Sequence, residues 1–182
     1  DFLRDKEVVL TFDDGPWPTT PAVLKALSDE CTKGLFFPVG KHTTYHPEIL
    51  RQVAAAGHTV GSHTWSHAHL DSKKLTEAQM KEEIEKGFSA VKTAIGTAPA
   101  PFFRFPGLGH TQVALGYLAS RNISMFSVDE QHLVPGRAQE VRGQRGGGRL
   151  AVGAGDGDER RRRCDQAPLA AEQLDVADNL DA

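Results

Sequence analysis

The chain has 182 residues, which is enough for one domain of ordinary size and too few for two comfortable ones. Its net charge of −3 gives no reason to expect nucleic acid or an anionic membrane surface as a partner. No stretch approaches the roughly 18 uninterrupted apolar residues of a membrane span. We therefore expect neither nucleic-acid binding nor a membrane span, and no targeting segment is visible.

Strand-like and helix-like segments alternate along the first part of the chain. Residues 8–12 are apolar and rich in β-formers, which predicts a strand buried on both faces. Turn residues follow it, and the pattern then predicts a helix that begins at residues 19–21, a strand over residues 34–40, a helix over residues 47–56 and a strand over residues 59–61.

The alternation continues to residue 128. Thr76 and Gln79 form a capping box that begins a long helix, and Gly96 ends it after Ile95. The pattern then predicts a strand over residues 102–105, a helix over residues 111–121 and a strand over residues 123–128. This order predicts an α/β fold with right-handed crossovers and a parallel sheet or barrel.

The composition changes abruptly after residue 128. No aromatic residue follows Phe126, no lysine follows Lys92, and Arg, Gly, Ala, Asp and Glu dominate. Such a stretch cannot bury enough apolar surface to offset the entropy lost on ordering. We expect residues 1–129 to form the domain and residues 130–182 to form a largely disordered, low-complexity tail. The change would also fit a reading-frame shift.

Polar side chains follow three of the predicted strands at their carboxyl ends. Asp13 and Asp14 end the first strand, His63 and His67 follow the third, and Arg104 lies in the strand over residues 102–105. Ligands of α/β folds bind at the carboxyl ends of parallel strands, so these groups should converge on one rim.

The residue types at this rim predict a metal site. Two adjacent carboxylates repel each other, and a cation between them removes that cost. His63 and His67 are four residues apart, which on a helical turn puts both imidazoles within reach of one ion. Two histidines and a carboxylate suit zinc or another divalent transition metal, although the histidine pair alone would also fit surface or core histidines. Arg104 could hold a carboxylate ionised or form an ordinary structural ion pair.

Three segments together resemble the first three motifs of the NodB-homology polysaccharide deacetylases, carbohydrate esterase family 4. They are Thr-Phe-Asp-Asp-Gly at residues 11–15, His-Thr-Trp-Ser-His at residues 63–67 and Arg-Phe-Pro at residues 104–106. The resemblance covers residues 7–129 and implies an irregular (β/α) barrel that removes acetyl groups from a polysaccharide with a divalent metal. We expect zinc, with cobalt or nickel as alternatives.

The resemblance also implies a role for each residue of the rim. Asp14, His63 and His67 would be the metal ligands, and Asp13 would be the general base that Arg104 holds in place. Trp17, Tyr45 and Trp65 could stack on sugar rings or could pack in the ordinary way.

The C-terminal motifs of the family are missing from this chain. Asp129 matches the first aspartate of the fourth motif, but His132 stands in place of the second. The histidine of the fifth motif, which would protonate the departing amine, has no counterpart. We therefore expect an incomplete barrel with little or no turnover. Two alternatives stay open: a non-catalytic remnant that binds glycan or metal, and an amidohydrolase of a small cyclic amide.

The resemblance implies the partner and the location of the protein. The expected partner is an acetylated polysaccharide or oligosaccharide, and we expect a monomer. Because such substrates lie outside the cytoplasm, we expect a secreted, periplasmic or cell-wall-associated protein.

Overall fold

The computed structural model describes residues 8–128, and the predicted tail, Asp129 and His132 lie outside the described residues. The described part contains five strands and five α-helices, which alternate except that two helices lie between β2 and β3: β1 (Thr11–Asp13), α1 (Thr20–Asp29), β2 (Leu35–Phe37), α2 (Gly40–Tyr45), α3 (Pro47–Ala55), β3 (Thr59–Val60), α4 (Glu77–Ile95), β4 (Phe102–Phe103), α5 (Gln112–Ser120) and β5 (Ser124–Met125). A short 3-10 helix covers Pro106–Leu108. Between residues 8 and 128, no helix is both long and apolar enough to cross a bilayer.

The strands are parallel and follow one another in chain order. β2 lies between β1 and β3, with Phe12 opposite Phe36 and Phe36 opposite Val60. β4 pairs with β5, and a bridge between Ser62 and Phe103 links the two groups of strands. This arrangement confirms the α/β class, while a barrel stays a prediction.

The long helix α4 packs against both halves of the core. Its C-terminal part contributes Val91 and Ala94 to a cluster shared with α1, α3, β2 and β3. Its N-terminal part contributes Met80 and Ile84 to a second cluster shared with β4 and α5. Apolar residues at helical spacing therefore make α4 the element that joins the two clusters.

The first strand is not buried on both faces, so that prediction is wrong. Val8 and Val9 are 74% and 43% exposed, and Leu10 and Phe12 are only half-buried. Among the described strands β1 is an edge strand, because it pairs with β2 alone. The apolar residues therefore predicted the strand correctly, but their side chains are less buried than predicted.

The segment over residues 34–40 also differs from its prediction. The strand ends at Phe37, and the short helix α2 begins at Gly40. The first N–H groups of α2, on Gly40 and Lys41, donate to the carbonyl oxygens of Thr64 and Trp65 at 2.9 and 2.8 Å. Tertiary hydrogen bonds therefore support this helix start, which carries no local capping signal.

Candidate metal centre

The turn after β1 separates the two neighbouring aspartates. Asp14 has a φ of 67°, a left-handed conformation that is uncommon for a residue with a side chain. Nδ1 of His42 lies 2.7 Å from the main-chain oxygen of Asp14, and because a carbonyl can only accept, the imidazole donates. Asp13 faces Arg104 and Asp14 faces two histidines, so each carboxylate has its own surroundings.

His63 is buried and held by the residues that directly follow β2 and β4. Its main-chain N–H donates to the oxygen of Pro38 at 3.1 Å. Its Nδ1 lies 2.7 Å from the main-chain oxygen of Arg104, which can only accept, so Nδ1 carries the proton. In the neutral ring Nε2 then keeps its lone pair, and it lies 3.5 Å from Oδ1 of Asp14.

His67 reaches the same carboxylate from an irregular loop. Its Nε2 lies 3.1 Å from Oδ1 of Asp14, and its side chain is 39% exposed. The prediction that His63 and His67 share a helical turn is wrong, because residues 63–67 form no helix and both Thr64 and His67 have positive φ. The two imidazoles converge through the course of this loop.

These three side chains form a donor set that fits a divalent cation. One ligand atom from each of Asp14, His63 and His67 lies within 4.8 Å of the others, and no other group of three such residues occurs within residues 8–128. Two imidazoles and one carboxylate are the ligands that zinc takes in sites with an open position. The lone pair of His63 faces a carboxylate oxygen, an unfavourable arrangement that a cation would relieve.

The surroundings of Asp14 and His67 favour the protonation states in which these residues bind a metal. A hydrogen bond from the His63 imidazole in its doubly protonated form, and the positive charges that His67, His63 and His42 carry when protonated, hold the pKa of Asp14 below its ordinary value, against the opposing effect of burial. Burial lowers the pKa of His67, although Asp14 opposes this. Metal ligation needs an ionised carboxylate and neutral imidazoles, so both directions suit a cation.

Arg104 is buried beneath the site, with a side chain only 2% exposed. Its guanidinium donates to four oxygens: Oδ1 of Asp13 at 2.9 Å, Oγ1 of Thr11 at 2.6 Å, and the main-chain oxygens of Ser127 at 3.0 Å and Phe126 at 3.4 Å. Arg104 therefore forms an ion pair with Asp13 and connects it to the chain at residues 126 and 127.

The predicted aromatic residues lie in different settings. Trp17 and Tyr45 are 43% and 59% exposed. The centroid of the His42 ring lies 4.3 Å from that of Trp17 and 6.5 Å from that of Tyr45. Trp65 is half-buried and packs directly on Gly40, where an added Cβ would come within 2.9 Å of the indole. Trp17 and Tyr45 therefore remain available for a ligand, whereas Trp65 supports the loop that carries the histidines.

Sequence reasoning missed His42 and Glu83. His42 lies on α2, which was not predicted, so no signal pointed to it. Glu83 lies on the predicted helix α4, where its carboxylate accepts two hydrogen bonds from Ser66. A glutamate on the side of a predicted helix looks like an ordinary solvated charge, and only the packing of α4 on the loop distinguishes it.

Comparison with known proteins gives a family match over most of the described chain. The pattern of the family described as polysaccharide deacetylase matches residues 3–126. The chain is 38% identical over 101 residues to a peptidoglycan-N-acetylglucosamine deacetylase of Bacillus cereus, covering 55% of this chain and 36% of that protein. It is 41% identical over 90 residues to a chitooligosaccharide deacetylase of Rhizobium leguminosarum bv. trifolii, covering 47% and 41%. The chain thus spans about two fifths of the length of these relatives.

Solved structures show the same likeness. A family 4 carbohydrate esterase from Streptomyces lividans, in complex with acetate, has a TM-score of 0.63 at 30% identity and covers 69% of this chain and 64% of its own. A peptidoglycan deacetylase of Bdellovibrio bacteriovorus has a TM-score of 0.62 at 35% identity and covers 69% and 35%. The α/β arrangement of the described residues is therefore similar to that of these two proteins.

Proposed function

This chain belongs to the polysaccharide deacetylase family, and from that premise we propose that it acts on N-acetylated polysaccharide through a divalent metal. One observation carries the proposal: the cluster of Asp14, His63 and His67 lies beside a carboxylate, Asp13, that is held separately by Arg104. Metal-assisted hydrolysis requires residues that hold the metal and, next to them, a carboxylate that does not bind it and can accept a proton.

Asp14, His63 and His67 would hold the ion, which we expect to be zinc, with cobalt or nickel as alternatives that the same donors accept. A divalent ion bound there supplies Lewis acidity to the acetyl carbonyl and to the attacking water. The outer contacts support this role for His63, because its bond to the oxygen of Arg104 directs Nε2 towards the ligand cluster.

Asp13 would act as the general base. Arg104 occupies Oδ1 of Asp13 at 2.9 Å, which leaves Oδ2 to accept the proton of the attacking water. The guanidinium also keeps this carboxylate in one orientation, as a proton acceptor needs. Asp13 directly precedes Asp14 but is not part of the ligand cluster, so the proposed base and the proposed ligand are different residues.

The expected substrate is an acetylated polysaccharide or oligosaccharide. Trp17 and Tyr45 support this, since both are exposed and the ring of His42 between them joins them to the turn at Asp14. Aromatic faces of this kind stack on the apolar faces of sugar rings. A substrate of this class implies a place outside the cytoplasm or at the cell wall, and a monomer remains our expectation.

We keep the expectation that turnover is low or absent. No residue of the described range is assigned the role of the acid that protonates the departing amine, and His132 lies outside that range. A chain that binds metal and glycan without releasing acetate would be the non-catalytic remnant. Within residues 8–128 no structural feature favours the cyclic-amide alternative.

The test compares two neighbouring substitutions, Asp13→Asn and Asp14→Asn. We expect Asp13→Asn to bind zinc as the unmodified protein does and to lower any release of acetate from an acetylated chitooligosaccharide by about 10²–10⁴-fold. We expect Asp14→Asn to weaken zinc binding itself, with His63→Ala as the reference for a lost ligand. Equal zinc affinity in all four proteins would overturn the proposed metal centre.

A further inference from the structure

The carboxylate of Glu83 on α4 binds the loop that carries His67. Glu83 accepts two hydrogen bonds from Ser66, one from the main-chain N–H to Oε2 and one from the hydroxyl to Oε1, both at 2.9 Å. Ser66 directly precedes His67, whose φ of 61° is uncommon for a residue with a side chain. A bidentate, charge-assisted contact therefore acts on the residue next to an imidazole that needs an unusual backbone conformation.

The same loop lies directly on the backbone of α4 one turn further along. A Cβ added at Gly87 would come within 2.8 Å of the carbonyl group of Thr64 and of Oγ of Ser62. On its other side the loop receives hydrogen bonds from the start of α2, where Gly40 donates to the oxygen of Thr64 at 2.9 Å. The loop is thus held between α2 and α4, and Glu83 is the charged contact on the α4 side.

The two histidines depend on this support to different degrees. His63 is 3% exposed in its side chain, and its ring is fixed by the hydrogen bond to Arg104. The side chain of His67 is 39% exposed; its ring touches the rings of His63 and His69, and its ion-pair partner within the described residues is Asp14. The position of the His67 ring therefore follows from the backbone conformation of its loop, which Glu83 stabilises through Ser66.

We propose that Glu83 is a positioning residue for the metal centre: by holding Ser66, it places Nε2 of His67 where a divalent ion can be bound together with Asp14 and His63. This inference rests on the proposed metal centre and extends it to a residue outside the ligand set. Loss of a contact that orients a ligand typically lowers metal affinity about 10–100-fold. Because the contact acts through the neighbouring residue, we expect the lower end of that range.

The experiment measures zinc affinity by competition with a chelator, and the absorption spectrum of the cobalt-loaded protein. Glu83→Ala should weaken zinc binding about tenfold and change the cobalt spectrum, because His67 no longer occupies a fixed position. Glu83→Gln keeps one acceptor oxygen and turns an amide towards the other donor. Its zinc affinity should therefore lie between that of the unmodified protein and that of Glu83→Ala. Glu82→Ala is the matched control, since Glu82 is the neighbouring residue and, within the part of the chain that the structure describes, its ion pair is with Lys86 on the same helix.

A purely structural role would lower the free energy of unfolding without changing zinc affinity or the cobalt spectrum of the folded protein. If Glu83→Ala matches Glu82→Ala in both readouts while His63→Ala loses zinc, the inference is wrong and the metal centre stands. If the unmodified protein binds no zinc, the proposed centre fails and the inference fails with it. If Glu83→Ala does not fold, Ser66→Ala removes only the hydroxyl donor; unchanged zinc affinity there would also overturn the inference.

Discussion

Arg104 and His63 are joined by a hydrogen bond in which Nδ1 of the buried imidazole donates to the main-chain oxygen of the arginine over 2.7 Å. The side chain of the same arginine pairs with Asp13 at 2.9 Å. One residue therefore orients a proposed ligand through its backbone and the proposed base through its guanidinium. A substitution removes the second contact and leaves the first, so the two roles can be measured separately.

Arg104→Met should lower the free energy of unfolding by about 1–3 kcal/mol, the usual cost of leaving acceptors of a buried donor without a partner, because Asp13 is partly exposed and water can solvate its charge. Asp13 loses its cation, and Thr11 and two main-chain oxygens lose a donor. Urea denaturation measures the loss. Zinc affinity of the folded variant should change little, because the oxygen that orients His63 remains.

The matched control is Arg121→Met. Arg121 also pairs with a carboxylate, Glu85, but at the surface, where water screens the interaction, so the loss should be much smaller. Two equal losses would mean that the burial of Arg104 does not matter. A folded Arg104→Met variant that no longer binds zinc would mean that the side chain and the backbone of Arg104 do not act separately.

Local signals predicted some elements well because their cause is local. The capping box of Thr76 and Gln79 is present, with both reciprocal hydrogen bonds, and Gly96 ends α4 with a φ of 77°. By contrast, α2 begins where Gly40 and Lys41 donate to carbonyl groups more than twenty residues away. No pattern within residues 34–45 contains that information, so a strand was predicted up to Gly40.

The candidate site divides in the same way. Topology predicted that Asp13, Asp14 and the histidines converge, because parallel strands place their carboxyl ends at one edge. The conformation that brings His67 to Asp14 was predicted wrongly as a helical turn. His67 has a positive φ, in a loop that contacts α2 and α4. The spacing of two histidines in the sequence gives no information about those contacts.

Gly87→Ala should destabilise the protein although alanine is the better helix former. The new Cβ would lie within 2.8 Å of the carbonyl group of Thr64, a main-chain group that cannot move without shifting the loop. Overpacking of this kind costs about 1–3 kcal/mol, more than the roughly 0.5–1 kcal/mol gained in helix propensity. Gly116 on α5 is the control, since a Cβ there meets nothing within 4 Å.

Gly116→Ala should therefore raise the free energy of unfolding by about 0.5–1 kcal/mol, and Gly87→Ala should lower it. Thermal and urea unfolding of the two variants give the sign directly. A gain at both positions would show that the loop can move away from α4 at little cost, contrary to the close packing described above.

Glu85→Gln should lower the pKa of Tyr117. Burial raises the pKa of this phenol first, and the Glu85 carboxylate, which accepts its hydrogen bond at 2.8 Å, raises it further. Replacing the carboxylate by a neutral amide removes the second cause and leaves burial. Ultraviolet titration in a Tyr45→Phe background measures Tyr117 alone, since the chain has two tyrosines. Glu82→Gln on the same helix should leave the titration where it was.

His58 should make the protein less stable as the pH falls. It is 7% exposed, and its Nδ1 accepts a hydrogen bond from the N–H of Gly34 at 3.1 Å, so this nitrogen must be unprotonated. Burial, and then the charge of Lys33, lower the pKa of His58 from its ordinary value of 6.5. Below that value the unfolded chain binds a proton that the folded protein does not, and the free energy of unfolding falls.

The loss begins as the pH falls through 6.5 and ends once it is below the lowered pKa of the folded state, with a slope of at most about 1.4 kcal/mol per pH unit. Above 6.5 the residue contributes no pH dependence. His58→Asn keeps an acceptor for Gly34 and removes the titration, so urea unfolding of the metal-free proteins should show a smaller loss between neutral and mildly acidic pH. The titrations of Asp14 and His67 contribute equally to both proteins, so they cancel when the pH dependence of the variant is subtracted from that of the unmodified protein. Parallel pH profiles of the two proteins would contradict a lowered pKa of His58.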